Sequence, residues 1–460
     1  MLMKDQQSAL TYLQYINEHI DCILRYGSDG KFHPKLIRDD YVVSSLPSID
    51  ESIMIGDPTF SRKSWIDTIN EVKVQYNKIV EIEVTEIIYL LGSGQNNGGA
   101  LGIGNYATDP LVPQNTAGFV DLDENGDVIS DVAAGAGFSM ILKSDGTIWG
   151  AGTNTQGQQG LGHKTTPVYL WEQESGLGVS WGAVSCGNNF TVALKSDGTI
   201  WFTGEDRYGV AGLGNAIDGS YTYYEDFIQI GSASDWVSIE TQQYRLFAIN
   251  SSGELFACGY NPYGELGLGD TTHRNALIQV GSATNWSKIG AASYGTIGLK
   301  TDGTLYTWGL ASQGILGNGT TTPNIDTPTK IGTDTDWANI GSTAYCVFAI
   351  KTNGTLWGTG ENSSYELGLN HQNQVNTFTQ IGTDTDWEKL FGSWYAMIGI
   401  KTSGKAYGAG YTWEDLFGVG ESVDNSEHEF IAIADVVSGT DDLWTKFSTW
   451  GSNHFIGVRQ

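Results

Sequence analysis

The stretch SWGAVSCGNNFTVALKSDGTIWFTGEDRYGVAGLG, residues 180–214, decides the fold. In order it holds a tryptophan entering a short run, a Lys-Ser-Asp-Gly-Thr sequence, a second apolar run and a spaced glycine series. Asp-Gly between Phe190-Thr-Val-Ala-Leu194 and Thr199-Ile-Trp-Phe202 is a hairpin signal. It predicts a two-residue turn in which both positions take positive φ.

Working outward, each of these elements returns in register. The pattern Gly-x4-Gly-x2-Gly-x-Gly begins at Gly94, Gly152, Gly204, Gly259 and Gly309, with degraded copies at Gly360 and Gly410. The seven copies are spaced 58, 52, 55, 50, 51 and 50 residues apart. Lys143-Ser144-Asp145-Gly146-Thr147 recurs as Lys195 to Thr199, Lys300 to Thr304 and Lys351 to Thr355, and more weakly as Asn250 to Glu254 and Lys401 to Lys405. The six blade turns therefore carry Gly146, Gly198, Gly253, Gly303, Gly354 and Gly404, and each lead residue stands nine positions before the next glycine series. The strand-entering tryptophan recurs as Trp181, Trp236, Trp286, Trp337, Trp387 and Trp444. Each unit reads as about fifty residues of short antiparallel strands, with aromatics available to fill the space between sheets.

Register also argues for closure. A seventh hairpin-leading strand, His454-Phe-Ile-Gly-Val-Arg459, ends just before Gln460, and Glu86-Ile-Ile-Tyr-Leu-Leu91 runs straight into Gly94. A linear array would expose two half-sheets, whereas a ring has no long free edges. The expectation is all-β: a closed seven-bladed β-propeller over residues 82–460 whose closing blade is split between the two ends of the region.

Residues 180–214 resemble the repeat of the regulator of chromosome condensation family, and the resemblance covers about residues 82–460. It implies the propeller fold and the use of that fold as an interaction module. The founding member's guanine-nucleotide exchange and nucleosome docking map onto no residue of this chain. Nucleosome docking uses basic elements, and this chain is acidic.

Composition supports the same exclusion. Sixty-one glycines and 53 aromatics (16 Phe, 15 Trp, 22 Tyr) stand against 9 prolines, which suits short strands and tight turns rather than a helical bundle. Asp+Glu number 52 against 24 Lys+Arg, a net charge of -28 that repels phosphate backbones and anionic lipid. No nucleic-acid partner and no membrane insertion are expected, and residues 1–8 show no signal peptide. Cys22, Cys186, Cys258 and Cys346 lie far apart without zinc spacing and read as buried free thiols.

Residues 1–81 lack the repeat and form a separate helical or mixed segment. Leu13, Ile16, Ile20 and Ile23 recur at helical spacing with Gly27 as a cap, and Ser64 to Val80 reads as a second helix. The segment is either a cap on the propeller or a docking element for a larger assembly.

Chemical sites are few. Asp121, Asp123, Asn125 and Asp127 resemble the start of a calcium loop, but Val132 replaces the expected glutamate and Asp131 falls one residue early. The same stretch reads as a hairpin turning at Asn125-Gly126, the preferred reading. His163, His273 and His371 follow equivalent glycine series in different blades, too far apart for one metal. No nucleophile elbow, metalloprotease or phosphate-loop motif occurs, so no catalytic residue, metal or cofactor is expected. Tyr221, Tyr223, Tyr224 and Phe227 form either a binding surface or an outer strand packed on its sheet, the latter preferred.

The favoured functional expectation is a non-enzymatic structural component of a phage-like virion (tail, fibre or capsid accessory protein). In it, residues 1–81 dock to other proteins and the propeller is a rigid disc, open to a host-surface glycan or protein. The alternatives are a cytoplasmic adaptor binding a regulatory protein, small-GTPase exchange included, and a glycan-binding adhesin.

Overall fold

The computed structural model of the 460-residue chain describes residues 22–26, 32–36, 89–94, 99–102, 128–174, 176, 178, 180–215, 217, 221–411, 426–433, 443–450 and 454–459. The chain divides into two units, one of Met1–Ile87 with Leu122–Gly126 and one of the remainder.

In the first unit, β1 (Cys22–Tyr26) and β2 (Phe32–Leu36) pair antiparallel, from Cys22 opposite Leu36 to Tyr26 opposite Phe32. This corrects the helix expected through Ile23 to Gly27. Gly27-Ser-Asp-Gly30 separates two short runs bearing Ile, Tyr and Phe, and this hairpin chemistry outweighs the three-to-four-residue apolar spacing. The helix expected over Ser64–Val80 lies outside the described residues.

The second unit is an all-β propeller. Six of its sheets are four-stranded antiparallel meanders with strands in sequence order. The first comprises β4 (Ile129–Gly135), β5 (Phe138–Lys143), β6 (Ile148–Gly152) and β7 (Val168–Gln173). Next come β8 (Trp181–Cys186), β9 (Phe190–Lys195), β10 (Ile200–Asp206) and β11 (Thr222–Gln229). The third sheet holds β12 (Trp236–Gln242), β13 (Arg245–Asn250), β14 (Leu255–Gly259) and β15 (Arg274–Gln279). The fourth holds β16 (Trp286–Ala291), β17 (Gly295–Lys300), β18 (Leu305–Gly309) and β19 (Ile325–Lys330). The fifth holds β20 (Trp337–Ser342), β21 (Cys346–Lys351), β22 (Leu356–Gly360) and β23 (Val375–Ile381). The sixth holds β24 (Trp387–Gly392), β25 (Ala396–Lys401), β26 (Ala406–Tyr411) and β27 (Ser426–Ala432). A further three-stranded sheet joins β28 (Trp444–Trp450) and β29 (His454–Arg459) to β3 (Tyr89–Gly94) from the far end of the unit. In it Arg459 faces Tyr89 and His454 faces Gly94. The strand expected over Glu86–Leu91 is thus met three residues further on.

The hairpin between second and third strands shows why Lys-Ser-Asp-Gly-Thr recurs. Gly146 N donates to Lys143 O (3.0 Å) and Lys143 N to Thr147 O (2.9 Å), which encloses a three-residue loop. Only the glycine is left-handed, with φ of 82° at Gly146 and 74–81° at its five equivalents. The expected two-residue turn with two positive φ values is corrected accordingly. Asp145 Oδ1 accepts from Thr147 N (2.9 Å) and Thr147 Oγ1 (2.7 Å), a local closure that leaves the left-handed position to the glycine alone. Thr147 Oγ1 in turn accepts from Trp149 Nε1 at 2.9 Å. The same relay runs through Asp197, Thr199 and Trp201, and through Asn353, Thr355 and Trp357.

That glycine also fixes the next sheet. Its carbonyl accepts the backbone N–H of the following tryptophan: Trp181 from Gly146, Trp236 from Gly198 and Trp286 from Gly253, at 3.0–3.1 Å. Trp337 on Gly303, Trp387 on Gly354 and Trp444 on Gly404 continue the series at 2.9–3.3 Å. Four of these tryptophans, Trp181, Trp286, Trp337 and Trp387, then meet the lead lysine of their own sheet across the ladder, Lys195 Nζ lying 4.7 Å from the Trp181 ring centre and 4.6 Å from that of Trp201. Lys300, Lys351 and Lys401 repeat the arrangement at 4.4–5.2 Å, each contact worth about 0.5–2 kcal/mol. Between neighbouring sheets the cores are apolar. Phe190, Val192, Ile200 and Phe202 of one sheet pack on Trp236, Leu246 and Ala248 of the next.

Where the three-stranded sheet meets the β4–β7 sheet, His454 is buried, shares a 3.2 Å hydrogen bond with Ser139 Oγ, and bonds to the Phe138 backbone. Burial lowers its imidazole from 6.5 to about 4.

Two predictions follow from these joints. A Cβ on Gly303 would stand 2.2 Å from Thr335 O, whereas one on Gly332 (φ +60°) meets nothing within 4 Å. Gly303→Ala should therefore cost about 2–4 kcal/mol in chemical denaturation and Gly332→Ala only about 1–2 kcal/mol; equal losses would refute the inter-sheet clash. His454 takes up a proton more readily unfolded than folded between pH 6.5 and about 4, so its contribution is full above pH 6.5 and is lost as pH falls toward 4. Melting curves from pH 7 to 4 should be flatter for His454→Gln than for the parent, by on the order of 3 kcal/mol at the acid end.

Candidate interaction face and central channel

The loops after the first and third strands emerge at one end of each sheet. Backbone bonds hold them together there: Tyr260 N to Tyr244 O (2.9 Å), Leu310 N to Tyr294 O (2.7 Å), Glu361 N to Tyr345 O (3.2 Å) and Tyr411 N to Tyr395 O (3.0 Å). The residue entering the second strand is tyrosine in four successive sheets, and the rings form a ladder. Tyr294 and Tyr345 stack at 5.5 Å and Tyr345 and Tyr395 at 5.4 Å, with Tyr263 and Trp394 flanking at 6.1 and 6.4 Å. Burial pushes the Tyr345 phenol well above its ordinary range, and bonds to the Tyr395 and Tyr294 hydroxyls push it further. These rings are half-buried, neither packed away nor freely rotating.

Tyr244, at the equivalent position of the third sheet, belongs to a cationic cluster. Arg207 lies 5.0 Å from the ring centres of Tyr208, Tyr221 and Tyr244 and donates from Nη1 to Tyr244 Oη at 3.1 Å. Tyr208 continues to Tyr260 (4.5 Å) and His273 (5.2 Å). His273 Nδ1 accepts from Asn261 N, and burial holds the imidazole below its usual range.

Of the residues expected at a binding surface, the structure separates two pairs. Phe227 is buried 4.9 Å from Trp181, and Tyr224 packs edge-on to Phe202 and accepts from Asn215 Nδ2 at 2.8 Å. Tyr221 and Tyr223 are exposed, at 45% and 42%. The segment is the outer strand β11, with Tyr221 brought to the Arg207 cluster. Asp121, Asp123, Asn125 and Asp127 lie outside the described residues. His163 bonds Glu172 of β7 at 3.2 Å and His371 bonds Asn362 at 3.3 Å, each within its own repeat. Among the described residues no three His, Cys, Asp or Glu side chains come together as metal ligands, and no helix is long and apolar enough to cross a membrane. Cys186, Cys258 and Cys346 are buried free thiols, their ionisation pushed up by burial. The ladder went unread in the sequence, although its signal was present: Tyr244, Tyr294, Tyr345 and Tyr395 recur every 50 or 51 residues.

The innermost strands β4, β8, β12, β16, β20, β24 and β28 surround a channel of about 410 Å³. Side chains link each strand to the next around it. Asp131 Oδ2 accepts from Val184 N (3.2 Å), Ser185 Oγ bonds Thr241 Oγ1 (2.8 Å), and the Glu240 carboxyl accepts from Ala291 N. Lys288 Nζ donates to Asn339 Oδ1 (2.8 Å), Asn339 Nδ2 to Glu388 O (2.7 Å), and Lys389 Nζ to Thr445 O (3.1 Å). Lys446 pairs with Asp131, and Ala134 N donates to Ser448 Oγ at 2.9 Å. Burial raises the Glu240 carboxyl to about 8 against the opposing pull of Lys446, so it is largely uncharged at neutral pH.

With this geometry in place, comparison with known proteins is direct. Residues 129–158 and 183–210, and separately 302–350, match the Regulator of chromosome condensation (RCC1) repeat. The Ultraviolet-B receptor of Arabidopsis thaliana is 29% identical over 38% of this chain, the Secretion-regulating guanine nucleotide exchange factor of Bos taurus 31% over 27%, and the Regulator of chromosome condensation of Mus musculus 27% over 40%. These matches span 38%, 26% and 45% of the relatives' own lengths. Among solved structures, human WBSCR16 superposes with a TM-score of 0.69 at 15% identity, covering 82% of this chain and 99% of that one. Prp20p of Saccharomyces cerevisiae superposes at 0.67 and 16% identity, covering 82% and 92%. The chain is a β-propeller that carries matches to the regulator of chromosome condensation repeat and is similar to divergent relatives at 27–31% identity.

Proposed function

We propose that the chain is a non-catalytic interaction propeller, a cellular adaptor or regulatory module whose tyrosine-bearing end binds a basic protein partner. The carrying observation is the Tyr294–Tyr345–Tyr395 stack, with Tyr244 at the equivalent position of the preceding sheet held in the Arg207 cluster. Half-buried aromatics in fixed stacks supply contact area at little entropic cost, which is the composition of binding hot spots. The net charge of -28 supports a partner of opposite sign. The relatives carry the names of a receptor, an exchange factor and a probable ubiquitin ligase, which supports a regulatory module over the virion component that the sequence first suggested.

The same reading extends to the frame and the first unit. The three-stranded sheet is the seventh blade, closing the ring by pairing β29 with β3. Residues 1–81 are a tether for a second attachment, apart from the propeller.

Deleting residues 454–460 should then lower the thermal midpoint by more than about 10 °C, as expected when several kcal/mol of inter-strand pairing and burial are lost; an unchanged midpoint would show that the ring does not depend on the closing strand. For binding, the full chain and its Tyr294→Ala, Tyr345→Ala, Tyr395→Ala triple variant can be used as bait in extract of the producing cell. A stoichiometric protein partner should be retained by the parent and weakened at least tenfold by the variant. A partner retained equally by both, or no protein above background, would overturn the assignment.

A further inference from the structure

A pocket of about 450 Å³ lies where the third and fourth sheets meet, around the Trp286 joint. Ile278, Val280 and Pro328 give it apolar walls, the Trp286 and Tyr306 rings face it, and Lys300 supplies a cation. Its volume is in the range of small-molecule sites, and a mostly apolar lining with one convergent charge is their usual make-up.

Lys300 differs from its equivalents in the sheets that follow. Its ammonium lies 4.9 Å from the Trp286 ring centre and 4.4 Å from that of Tyr306, as theirs lie on their own rings. Lys351, however, also reaches Asp334 (2.6 Å) and Asp336 (3.2 Å), and Lys401 reaches Asp384 (2.6 Å) and Asp386 (3.1 Å). Those carboxylates belong to one motif, Gly-Thr-Asp-Thr-Asp-Trp, at 332–337 and 382–387. Before Trp286 the same six positions read Gly281-Ser-Ala-Thr-Asn-Trp286, so Ala283 and Asn285 stand where the aspartates would. A second source of charge is missing as well. At the preceding joint but one, Trp181 Nε1 donates to Glu174 Oε1 at 3.3 Å. The backbone equivalent of Glu174 here is Val280, since Glu174 N bonds Ile148 O and Val280 N bonds Leu255 O.

The other charges nearby are committed. Arg274, also in the lining, is held by Asp270 at 2.5 Å and by Thr272 O at 2.7 Å. Asp302, on the turn after Lys300, is exposed and accepts from Thr304 N (3.0 Å) and Asn285 Nδ2 (3.3 Å). Its carboxyl is held below the usual range chiefly by the Thr304 bonds, with the charge of Lys300 a lesser cause. Among the described residues no carboxylate pairs with Lys300, and its ammonium keeps donors to spare.

We propose that this pocket binds a small organic monocarboxylate, its carboxylate on Lys300 in the place of the missing aspartate pair and its apolar body on Ile278, Val280 and Pro328. One ammonium without a counter-charge matches one carboxylate, and a charge-assisted bond at a half-buried lysine is strong at contact range. The lysine stem is already held against two rings, so little further ordering is needed on binding. Tyr294 precedes β17 and Lys300 ends it, so the site is independent of the partner assigned to the tyrosine face.

The test is calorimetric titration of the full chain with 4-phenylbutyrate and with octanoate, at constant ionic strength. At least one acid should bind saturably, one per chain, and its uncharged alcohol counterpart at least about tenfold more weakly. Ala283→Asp restores the carboxylate that Asp334 gives Lys351; it should weaken the acid at least about tenfold and melt no lower than the parent. Ala283→Asn, which adds the same bulk without charge, should retain binding within about threefold. Lys300→Gln should lose the preference for acid over alcohol, with circular dichroism confirming the fold. No saturable heat with either acid, equal affinity for acid and alcohol, or equal losses in Ala283→Asp and Ala283→Asn would overturn the site.

Discussion

Everything in the propeller hangs on the bond from each strand-entering tryptophan amide to the glycine carbonyl of the preceding hairpin. It ends one sheet and positions the next, and the geometry at both partners is demanding. The glycine must be left-handed, and a Cβ there would run into the lead-in to the tryptophan, 2.0–2.9 Å from Ser180 N, Ser234 O, Thr284 O, Thr335 O or Thr385 O at the first five hairpins. The tryptophan is simultaneously the first residue of a ladder, so a slip of one position would break the inter-sheet bond and turn the inner strand's buried side over. Register is therefore set at each joint, which is how units of unequal length share one fold.

The weaker repeats separate what is essential from what is added. Asn250 stands where other hairpins have lysine, so Trp236 has no cation over its ring from that position; Asn250 instead bonds Glu254 Oε2 and accepts from Ser252 N and Glu254 N. The amide of Trp286 still reaches Gly253 O at 3.0 Å. At the other extreme β4 begins with Ile129, yet keeps Lys143 opposite it, and that lysine lies 4.2 Å from the Trp149 ring. The cation–π contact is a reinforcement, and the backbone latch is the invariant.

Much of this was legible because the joint is encoded by small local motifs repeated at a constant offset. The turn glycines, the tryptophan strand starts and the pairing of the last strand with the stretch before Gly94 were all readable from spacing. The turn type was not, because Asp-Gly suits two hairpin classes, and the choice depends on the threonine two positions on, whose N–H and hydroxyl bind the aspartate. The hairpin at Cys22–Leu36 was missed for a related reason: isoleucines three and four apart fit a helix, and only pairing with Phe32–Leu36 shows the strand. Tyr221 to Phe227 was ambiguous because an outer strand has one wet face by construction, so binding and packing residues alternate within it. The tyrosine ladder escaped for a deeper reason. It is made by one residue per repeat, about fifty apart in sequence, and its rings become neighbours only when successive sheets stand side by side.

The distribution of basic residues bears on the charge that a partner of the aromatic face meets. Of the 24 lysines and arginines, Lys143, Lys195, Lys300, Lys351 and Lys401 lie against their own sheets' aromatic rings, buried or half-buried. Arg245 is wholly buried 3.2 Å from an equally buried Glu265, so that pair adds nothing to the field outside. Lys288 and Lys389 each bond across to the next inner strand, and Lys446 pairs with Asp131 in the channel wall. These contacts thus take up nine of the 24 positive charges. The charges left to meet a partner are therefore predominantly negative, and a basic protein steered by the long-range field is the one suited to the aromatic face.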